Sequence, residues 1–191
     1  LPISLMAANA GARVILVARG ADKLKETLQE IKAEGGKAWS YSCDISDLEA
    51  CDRLIDQINA DHGGIEVLVN NAGRSIRRSI ALSYDRFHDF ERTMQLNYFG
   101  SLRLIMRALP GMSERRSGHI INVSSIGVLS NAPRFSAYVA SKSALDAFSR
   151  CASSEFSDTG IAFTTINMPL VRTPMIDRKS TRLNSSHLVI S

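Results

Sequence analysis

The sequence has few cysteines and no pattern of metal ligands. Its three cysteines, Cys43, Cys51 and Cys151, show no CxxC spacing, and an odd number cannot complete a disulfide framework. We therefore expect reduced, buried thiols. The four histidines are scattered without a spacing such as HExxH, so we assign no metal.

Long apolar runs are also missing. The longest candidates, Val14–Ala18 and Leu104–Met106, are much shorter than the roughly 20 residues that cross a bilayer, and we predict no transmembrane segment. Hydrophobic residues make up 45% and charged residues 22% of the 191 residues, which excludes disordered and fibrous classes. We expect one cytoplasmic globular domain.

Positive charge is not concentrated on this domain. The formal net charge is +4, but three of these charges come from Arg178, Lys179 and Arg182 in a segment that contains no acid. A single net positive charge is left for the rest of the chain. Because no basic face with interleaved aromatic residues remains, we do not expect nucleic acid binding.

Both ends of the sequence differ from the pattern of a folded domain. The segment 178–191, RKSTRLNSSHLVIS, has neither helical nor alternating periodicity and resembles a translated sequencing adapter. We interpret 178–191 as a non-native, disordered tail and 1–177 as the domain. No starting Met is present, and we expect the sequence to be a fragment.

Between the ends, apolar β-branched runs alternate with amphipathic stretches, which predicts an α/β fold with a parallel sheet. The predicted strands are Arg13–Ala18, Lys37–Cys43, Glu66–Asn70, His119–Ser124 and Ile161–Asn167. The predicted helices are Asp22–Glu34, Asp47–Asp61, Tyr84–Ala108 and Ser136–Phe156. Pro110-Gly111 is expected to stop the third helix, and Asp44 and Ser46 are expected at capping positions.

Tyr138, Lys142 and Ser125 form the candidate catalytic group. Tyr138 and Lys142 stand four residues apart on a predicted helix, so both side chains emerge on one face. A nearby cation favours the phenolate and lowers a tyrosine pKa from its usual value of about 10. Ser125 follows a predicted strand, at the edge where α/β sheets bind ligands. This combination predicts proton exchange with a carbonyl or alcohol; taken alone, Tyr138 and Lys142 could equally be an exposed helix pair.

Two motifs with asparagine accompany this group. Asn97 lies within the helical pattern MQLNYFG, where asparagine has poor propensity and is expected to bend the helix. The motif NNAG, residues 70–73, follows the strand EVLV and permits a close backbone approach to a ligand.

In their order and spacing, NNAG, Asn97, Ser125 in NVSS, and Tyr138-x-x-x-Lys142 resemble the classical short-chain dehydrogenase/reductase family. The resemblance covers Gly11 to about Met175. It implies that Tyr138 is the general acid or base, that Lys142 binds the nicotinamide ribose and lowers the tyrosine pKa, and that Ser125 orients the carbonyl. Asn97 would hold a water that connects Lys142 to solvent.

The same resemblance implies the cofactor contacts. Arg19 closes the second family strand and Asp44 follows the third, and an arginine at the first position suits a 2′-phosphate, so we expect NADP(H) in preference to NAD(H). Asn71, Ala72 and Gly73 of NNAG would also contact the cofactor.

The chain departs from the family at its two ends. The glycine-rich TGxxxGxG loop, the first strand and the last strand are missing, so we expect an incomplete Rossmann-type, doubly wound sheet. NMPLVRTPM takes the place of PGxVxT, with Val171 and Thr173 still aligned as cofactor contacts. We therefore expect the chain itself to be unstable and inactive.

The segments NNAGRSIRRSIALSYDRFHDFERTMQLNYFG, NAPRFSAYVASK and MPLVRTPMI resemble the C-terminal reductase domain of bacterial multidomain fatty acyl-CoA reductases. A fatty acyl-CoA or fatty aldehyde is the substrate implied. Arg74, Arg77 and Arg78 could then meet CoA phosphates, or be solvated loop residues. Other ketone or hydroxyl substrates (sterol, sugar, 3-oxoacyl thioester), an epimerase or dehydratase activity, and non-catalytic NADP binding stay open. So does a homo-oligomeric state.

Overall fold

A single six-stranded sheet forms the centre of the structure, a computed structural model that describes residues 2–169 and 186–190. The strands are β1 (Arg13–Ala18), β2 (Lys37–Ser42), β3 (Val67–Asn70), β4 (Gly118–Ser125), β5 (Ile161–Met168) and β6 (Ser186–Ile190). Their order across the sheet is β2-β1-β6-β3-β4-β5. β1 pairs with β2, β3 with β4, and β4 with β5 in parallel, which confirms the predicted α/β fold.

Helices connect the parallel strands. They are α1 (Pro2–Asn9), α2 (Ala21–Ala33), α3 (Leu48–His62), α4 (Phe87–Met94), α5 (Ser101–Arg115), α6 (Ile126–Ser130) and α7 (Ser136–Glu155). A short 3-10 turn, Ile80–Leu82, precedes α4, and a π-helical turn, Gln95–Gly100, joins α4 to α5. None of the described helices is long and apolar enough to cross a membrane.

Apolar side chains cover the sheet on both faces. On β1, Ile15 and Val17 enter one core with α3, α5 and α7, whereas Val14 and Leu16 enter a second core with α1 and α2. All four side chains are at most 1% exposed. Burial on both faces explains why this strand is a continuous apolar run.

The C-terminal segment contradicts one sequence expectation. Ser186–Ile190 was expected to belong to a disordered tail, but the structure places it as β6, antiparallel to both β1 and β3. The physical reason is that the facing edges of β1 and β3 carry backbone donors and acceptors that a strand between them can pair. Residues 178–185 lie outside the described residues.

The predicted helix Tyr84–Ala108 is also corrected. It is divided into α4, the π-helical turn and α5, and Asn97 lies inside that turn with no exposed surface. A π-helical turn widens the helix, which agrees with the bend expected at Asn97. Pro110 does not stop α5, which continues to Arg115. Proline has no N–H to pair with a carbonyl of the preceding turn, but Pro110 lies on an exposed face of the helix, where that carbonyl can hydrogen-bond to water.

Two smaller expectations change as well. The residue that caps α3 is Asp47, whose Oδ1 accepts a hydrogen bond from the Ala50 backbone N–H at 3.0 Å, rather than Asp44 or Ser46. All three cysteines are free; Cys43 and Cys51 are buried as expected, but Cys151 is exposed.

Gly100, at the end of the π-helical turn, allows a close approach to the segment that precedes α3. A Cβ on Gly100 would overlap the carbonyl oxygen of Ile45. We predict that Gly100→Ala lowers the free energy of unfolding by about 1–3 kcal/mol in urea titrations followed by circular dichroism. The control is Gly20→Ala, where a Cβ meets no described atom within 4 Å and the change should stay within about 0.5 kcal/mol. Equal effects would contradict this packing.

Candidate active site

Polar side chains collect at the edge of the sheet where the parallel strands end. Seven buried side-chain nitrogen or oxygen atoms have no hydrogen-bond partner within the part of the chain that the structure describes. Four of them are at or just beyond the ends of parallel strands: Arg19 Nε, Asn70 Oδ1, Ser124 Oγ and Asn167 Oδ1. Since buried polar atoms are normally paired, this edge is suited to a polar ligand.

Lys142 lies at the centre of this edge. Its side chain extends from α7, is 3% exposed, and donates from Nζ to the carbonyl oxygen of Val123 on β4 at 2.7 Å. Burial lowers the pKa of Lys142 to about 8, because the charged ammonium loses hydration. An ammonium has three donors, and Val123 uses one of them.

Tyr138 lies one helical turn before Lys142 on α7, beside Ser125 at the end of β4. Burial raises the pKa of Tyr138, and its hydrogen bond with Ser125 acts in the opposite direction without outweighing burial. Burial therefore leaves the pKa of Tyr138 above its usual value, and the lowering by Lys142 that the resemblance implies stays a prediction. The phenol is accordingly protonated at neutral pH.

Ser125 is held in place by the turn that follows β4. Its Oγ accepts a hydrogen bond from the Gly127 backbone N–H at 3.1 Å and so caps the short helix α6. A Cβ on Gly127 would approach Ser125 Oγ at 3.3 Å, which is tighter than most such contacts. The turn therefore fixes the hydroxyl next to Tyr138.

Asn97 connects the NNAG turn to α7. Its Oδ1 accepts from the Arg74 backbone N–H at 2.7 Å, and its Nδ2 donates to the Arg74 carbonyl at 2.9 Å and to Ser141 Oγ at 2.9 Å. Ser141 in turn donates to the Tyr138 carbonyl at 2.7 Å. One buried amide thus positions both the NNAG turn and α7.

The NNAG turn lies directly against these residues. A Cβ placed on Gly73 would be 3.5 Å from Asn97 Oδ1 and 3.6 Å from Lys142 Nζ. Ala72 beside it is 1% exposed, and Asn71 is half-buried. The predicted residues of β3, α7 and the π-helical turn are therefore brought together.

Arg19 and Asp44 form a second polar group on the same edge. Arg19 Nη1 donates to Asp44 Oδ2 at 3.2 Å, and Asp44 Oδ1 accepts from the Ser46 backbone N–H at 3.0 Å and from Ser46 Oγ at 2.6 Å. Burial opposes ionisation of Asp44, but the hydrogen bonds from Ser46 and Arg19 outweigh it and lower the pKa of Asp44. The two predicted cofactor contacts are therefore neighbours and pair with each other.

Some residues of the candidate site could not be found from the sequence patterns. Ser141 and Asn70 have no distinctive spacing, yet Ser141 links Asn97 to α7 and Asn70 Nδ2 donates to Asn122 Oδ1 at 2.8 Å. Val171 and Thr173 lie outside the described residues. Within the described ranges, no group of three or more His, Cys, Asp or Glu side chains is arranged to hold a metal ion.

Comparisons with known proteins agree with this geometry. The family model described as short chain dehydrogenase matches residues 1–184. The chain is 58% identical over 176 residues to a fatty acyl-CoA reductase of Acinetobacter baylyi, which covers 92% of this chain and 60% of that protein. It is 53% identical over 166 residues to a fatty acyl-CoA reductase of Mycobacterium tuberculosis, covering 86% and 56% of the two.

A solved structure of a similar protein has the same fold. The crystal structure of a metagenomic short-chain oxidoreductase in complex with NADP is 30% identical, with a TM-score of 0.83 over 90% of this chain and 77% of that one. The chain belongs to the short-chain dehydrogenase/reductase family, and it is an oxidoreductase of that family. It spans less than two thirds of the length of the two reductases to which it is similar.

The buried ammonium of Lys142 should make stability depend on pH. An unfolded lysine titrates near 10.5, so below about pH 8 the charge is present in both states and its burial costs stability; that cost disappears as the pH rises from about 8 to 10.5. We predict that the free energy of unfolding of the wild-type protein rises by on the order of 3 kcal/mol over this interval and that Lys142→Met abolishes the rise. Urea unfolding at each pH measures it. The exposed Lys25→Met is the control. Parallel pH profiles for the three proteins would contradict the prediction.

Proposed function

We propose that the chain carries the catalytic half of an NADP(H)-dependent reductase that acts on fatty acyl-CoA thioesters or fatty aldehydes. The observation that supports it most is the joined group of Ser125, Tyr138 and Lys142 at the carboxyl edge of the sheet, with Asn97 fixing its neighbours. The similarity to two proteins named fatty acyl-CoA reductase supports the substrate class.

In this proposal, Tyr138 is the general acid. A bound nicotinamide coenzyme supplies the hydride that reduces a carbonyl carbon. Because its pKa is raised, Tyr138 carries its proton at neutral pH and can give it to the carbonyl oxygen. Ser125 holds that oxygen by a hydrogen bond. One hydride and one proton convert an aldehyde into an alcohol; for an acyl thioester they give an aldehyde and the free thiol.

In the proposal, Lys142 and Asn97 position the groups around Tyr138, and Lys142 helps to replace the Tyr138 proton. With one donor on Val123, the Lys142 ammonium has two N–H groups for ribose hydroxyls. A pKa of about 8 lets the same group take up and release a proton near neutrality, as replacement of the Tyr138 proton requires. Asn97 makes three side-chain hydrogen bonds to protein groups, so its first task is to hold the NNAG turn against Lys142.

The carboxyl edge fits a dinucleotide in the way the proposal needs. Arg19 has a buried Nε without a partner among the described residues, at the position where a 2′-phosphate would bind. Arg74 adds a further guanidinium group close to Arg19. Burial lowers the pKa of Arg74, and the positive charges of Arg92 and Arg19 lower it further, which shows that these cations lie near one another. These cations favour NADP(H) over NAD(H), while the ionised Asp44 keeps Arg19 in place.

We also propose that the 191-residue chain does not turn over substrate. The TGxxxGxG segment that would receive the pyrophosphate is not in its sequence. We propose the activity for a longer protein that holds these residues together with such a segment. Turnover of hexadecanal with NADPH by the 191-residue chain would refute this point.

The decisive variant for catalysis is Tyr138→Phe in that longer protein. Without the phenolic proton, we expect kcat for hexadecanal to fall by about 10²–10⁴-fold, while the Kd for NADPH, measured by its fluorescence, changes by less than about twofold. Tyr84→Phe is the control, since Tyr84 is 83% exposed. Full activity of Tyr138→Phe would remove the catalytic assignment.

Wild-type protein that binds NADPH but reduces no acyl-CoA, aldehyde, sterol, sugar or simple ketone would indicate a non-catalytic binding role.

Cofactor choice is tested by Arg19→Ala. Loss of the guanidinium should raise the KM for NADPH by about tenfold or more and leave the KM for NADH within about twofold, because only NADPH carries the 2′-phosphate. Arg53→Ala, which removes an exposed arginine of α3, is the matched control. If both KM values rise together, Arg19 has a general structural role, and the preference for NADP(H) is wrong.

A further inference from the structure

Asp89, in the first turn of α4, is surrounded by arginines. Its side chain is only 4% exposed and is paired with Arg78 Nε at 3.5 Å, with Arg86 Nε at 3.2 Å and with Arg92 Nη2. His88 Nε2 lies 3.4 Å from the same carboxylate. The side chains of Arg78, Arg86 and Arg92 are 36–51% exposed, so each of them is partly open to solvent.

This cluster carries more positive charge than the carboxylate needs. Burial would raise the pKa of Asp89, but hydrogen bonds from Arg86 and Arg92 outweigh it and lower the pKa, so Asp89 is ionised. One negative charge against three guanidinium groups leaves an excess of two positive charges. Arg78 Nε has no hydrogen bond within the described part of the chain. A single arginine would be enough to neutralise a buried Asp89, so the excess points to an anion.

The cluster is next to the catalytic helix. The Arg78 backbone N–H donates to the carbonyl of Arg134 at 2.8 Å, in the loop that leads into α7. Arg78 and Asp89 line a small cavity whose other side includes Ser136 and Ala137, the residues directly before Tyr138. An anion held by Arg78 would therefore lie close to the N-terminal end of α7, the helix that carries Tyr138.

We propose that Arg78, Arg86 and Arg92, gathered by Asp89, bind the phosphate of a phosphopantetheine group that carries the acyl thioester. The proposal rests on the proposed function. Guanidinium groups match phosphate oxygens with two parallel hydrogen bonds, and Asp89 holds them in place before the ligand arrives. The same phosphate is present in coenzyme A and on an acyl carrier protein.

The apolar surface beside the cluster fits an amphipathic ligand. It would also fit one alternative partner. Ile80, Leu82 and Phe87 are 63%, 67% and 70% exposed, next to the arginines in the chain. An acyl chain or pantetheine arm would cover part of this surface. An anionic lipid bilayer offers the same combination of phosphate and apolar groups, and the experiment must separate the two.

The test compares a substrate that carries the phosphate with two substrates that lack it. Arg86→Gln leaves Arg78 and Arg92 on Asp89, and in the longer native protein it should raise the KM for palmitoyl-CoA by about tenfold. The KM for palmitoyl-pantetheine and for hexadecanal, which have no phosphate, should stay within about twofold. Arg86→Lys should recover part of the loss, and Arg150→Gln, which removes an exposed arginine paired with Asp146, should change nothing. A larger effect on a palmitoylated carrier protein than on palmitoyl-CoA would identify the carrier as the source of the phosphate.

Equal changes for all three substrates would show that the cluster only positions α7, and no change for palmitoyl-CoA would show that it binds no phosphate; either result overturns the proposal. Wild-type protein that reduces nothing would overturn the proposed function instead. The anion site is then judged by calorimetry on the same protein, with coenzyme A expected to bind about tenfold more weakly to Arg86→Gln and pantetheine unaffected. If Arg86→Gln impairs binding to phosphatidylglycerol vesicles but leaves coenzyme A binding unchanged, the surface binds membranes and the proposal is wrong.

Discussion

The hydrogen bond from Lys142 Nζ to the carbonyl of Val123 joins α7 to β4, the strand that ends in Ser125. The rest of the candidate site lies around this bond: a Cβ on Gly73 would be in van der Waals contact with Nζ at 3.6 Å, and Tyr138 is one turn before Lys142, beside Ser125. An ammonium that is 3% exposed is costly. It is retained where positioned donors and an easily exchanged proton are needed.

Other buried polar contacts near the site hold parts of the backbone and side chains in place. Asn97 satisfies both ends of its amide with Arg74 and Ser141, which the widened turn Gln95–Gly100 makes possible by carrying the side chain out of the ordinary helical path. Asp89 on α4 also makes several contacts with one side chain, pairing with three arginines through a single carboxylate. Asn97 joins segments that are distant in sequence, whereas the arginine partners of Asp89 lie within eleven residues of it.

Local patterns in the sequence were sufficient for the parallel strands and for the group around Tyr138. β1 is predicted to the residue because burial on both faces leaves a continuous apolar run, and Tyr138-x-x-x-Lys142 shares a helix face by spacing alone. The division of the helix after Tyr84, the partners of Asp89 and the raised pKa of Tyr138 could not be predicted. They depend on which side chains meet in space and on burial, neither of which periodicity reports. β6 was missed because its pairing is supplied by the edges of β1 and β3, with little signal of its own.

The direction of β6 has a consequence for the ligand side of the sheet. A parallel strand in this position would end at the carboxyl edge and turn into a helix there, so that the first amides of that helix pointed at a phosphate. Ser186–Ile190 runs the opposite way and enters the sheet at that edge. Backbone pairing is thereby continuous from β2 to β5. At the ligand side of the sheet, however, β6 presents its N-terminal end, whereas β1 and β3 present their C-terminal ends.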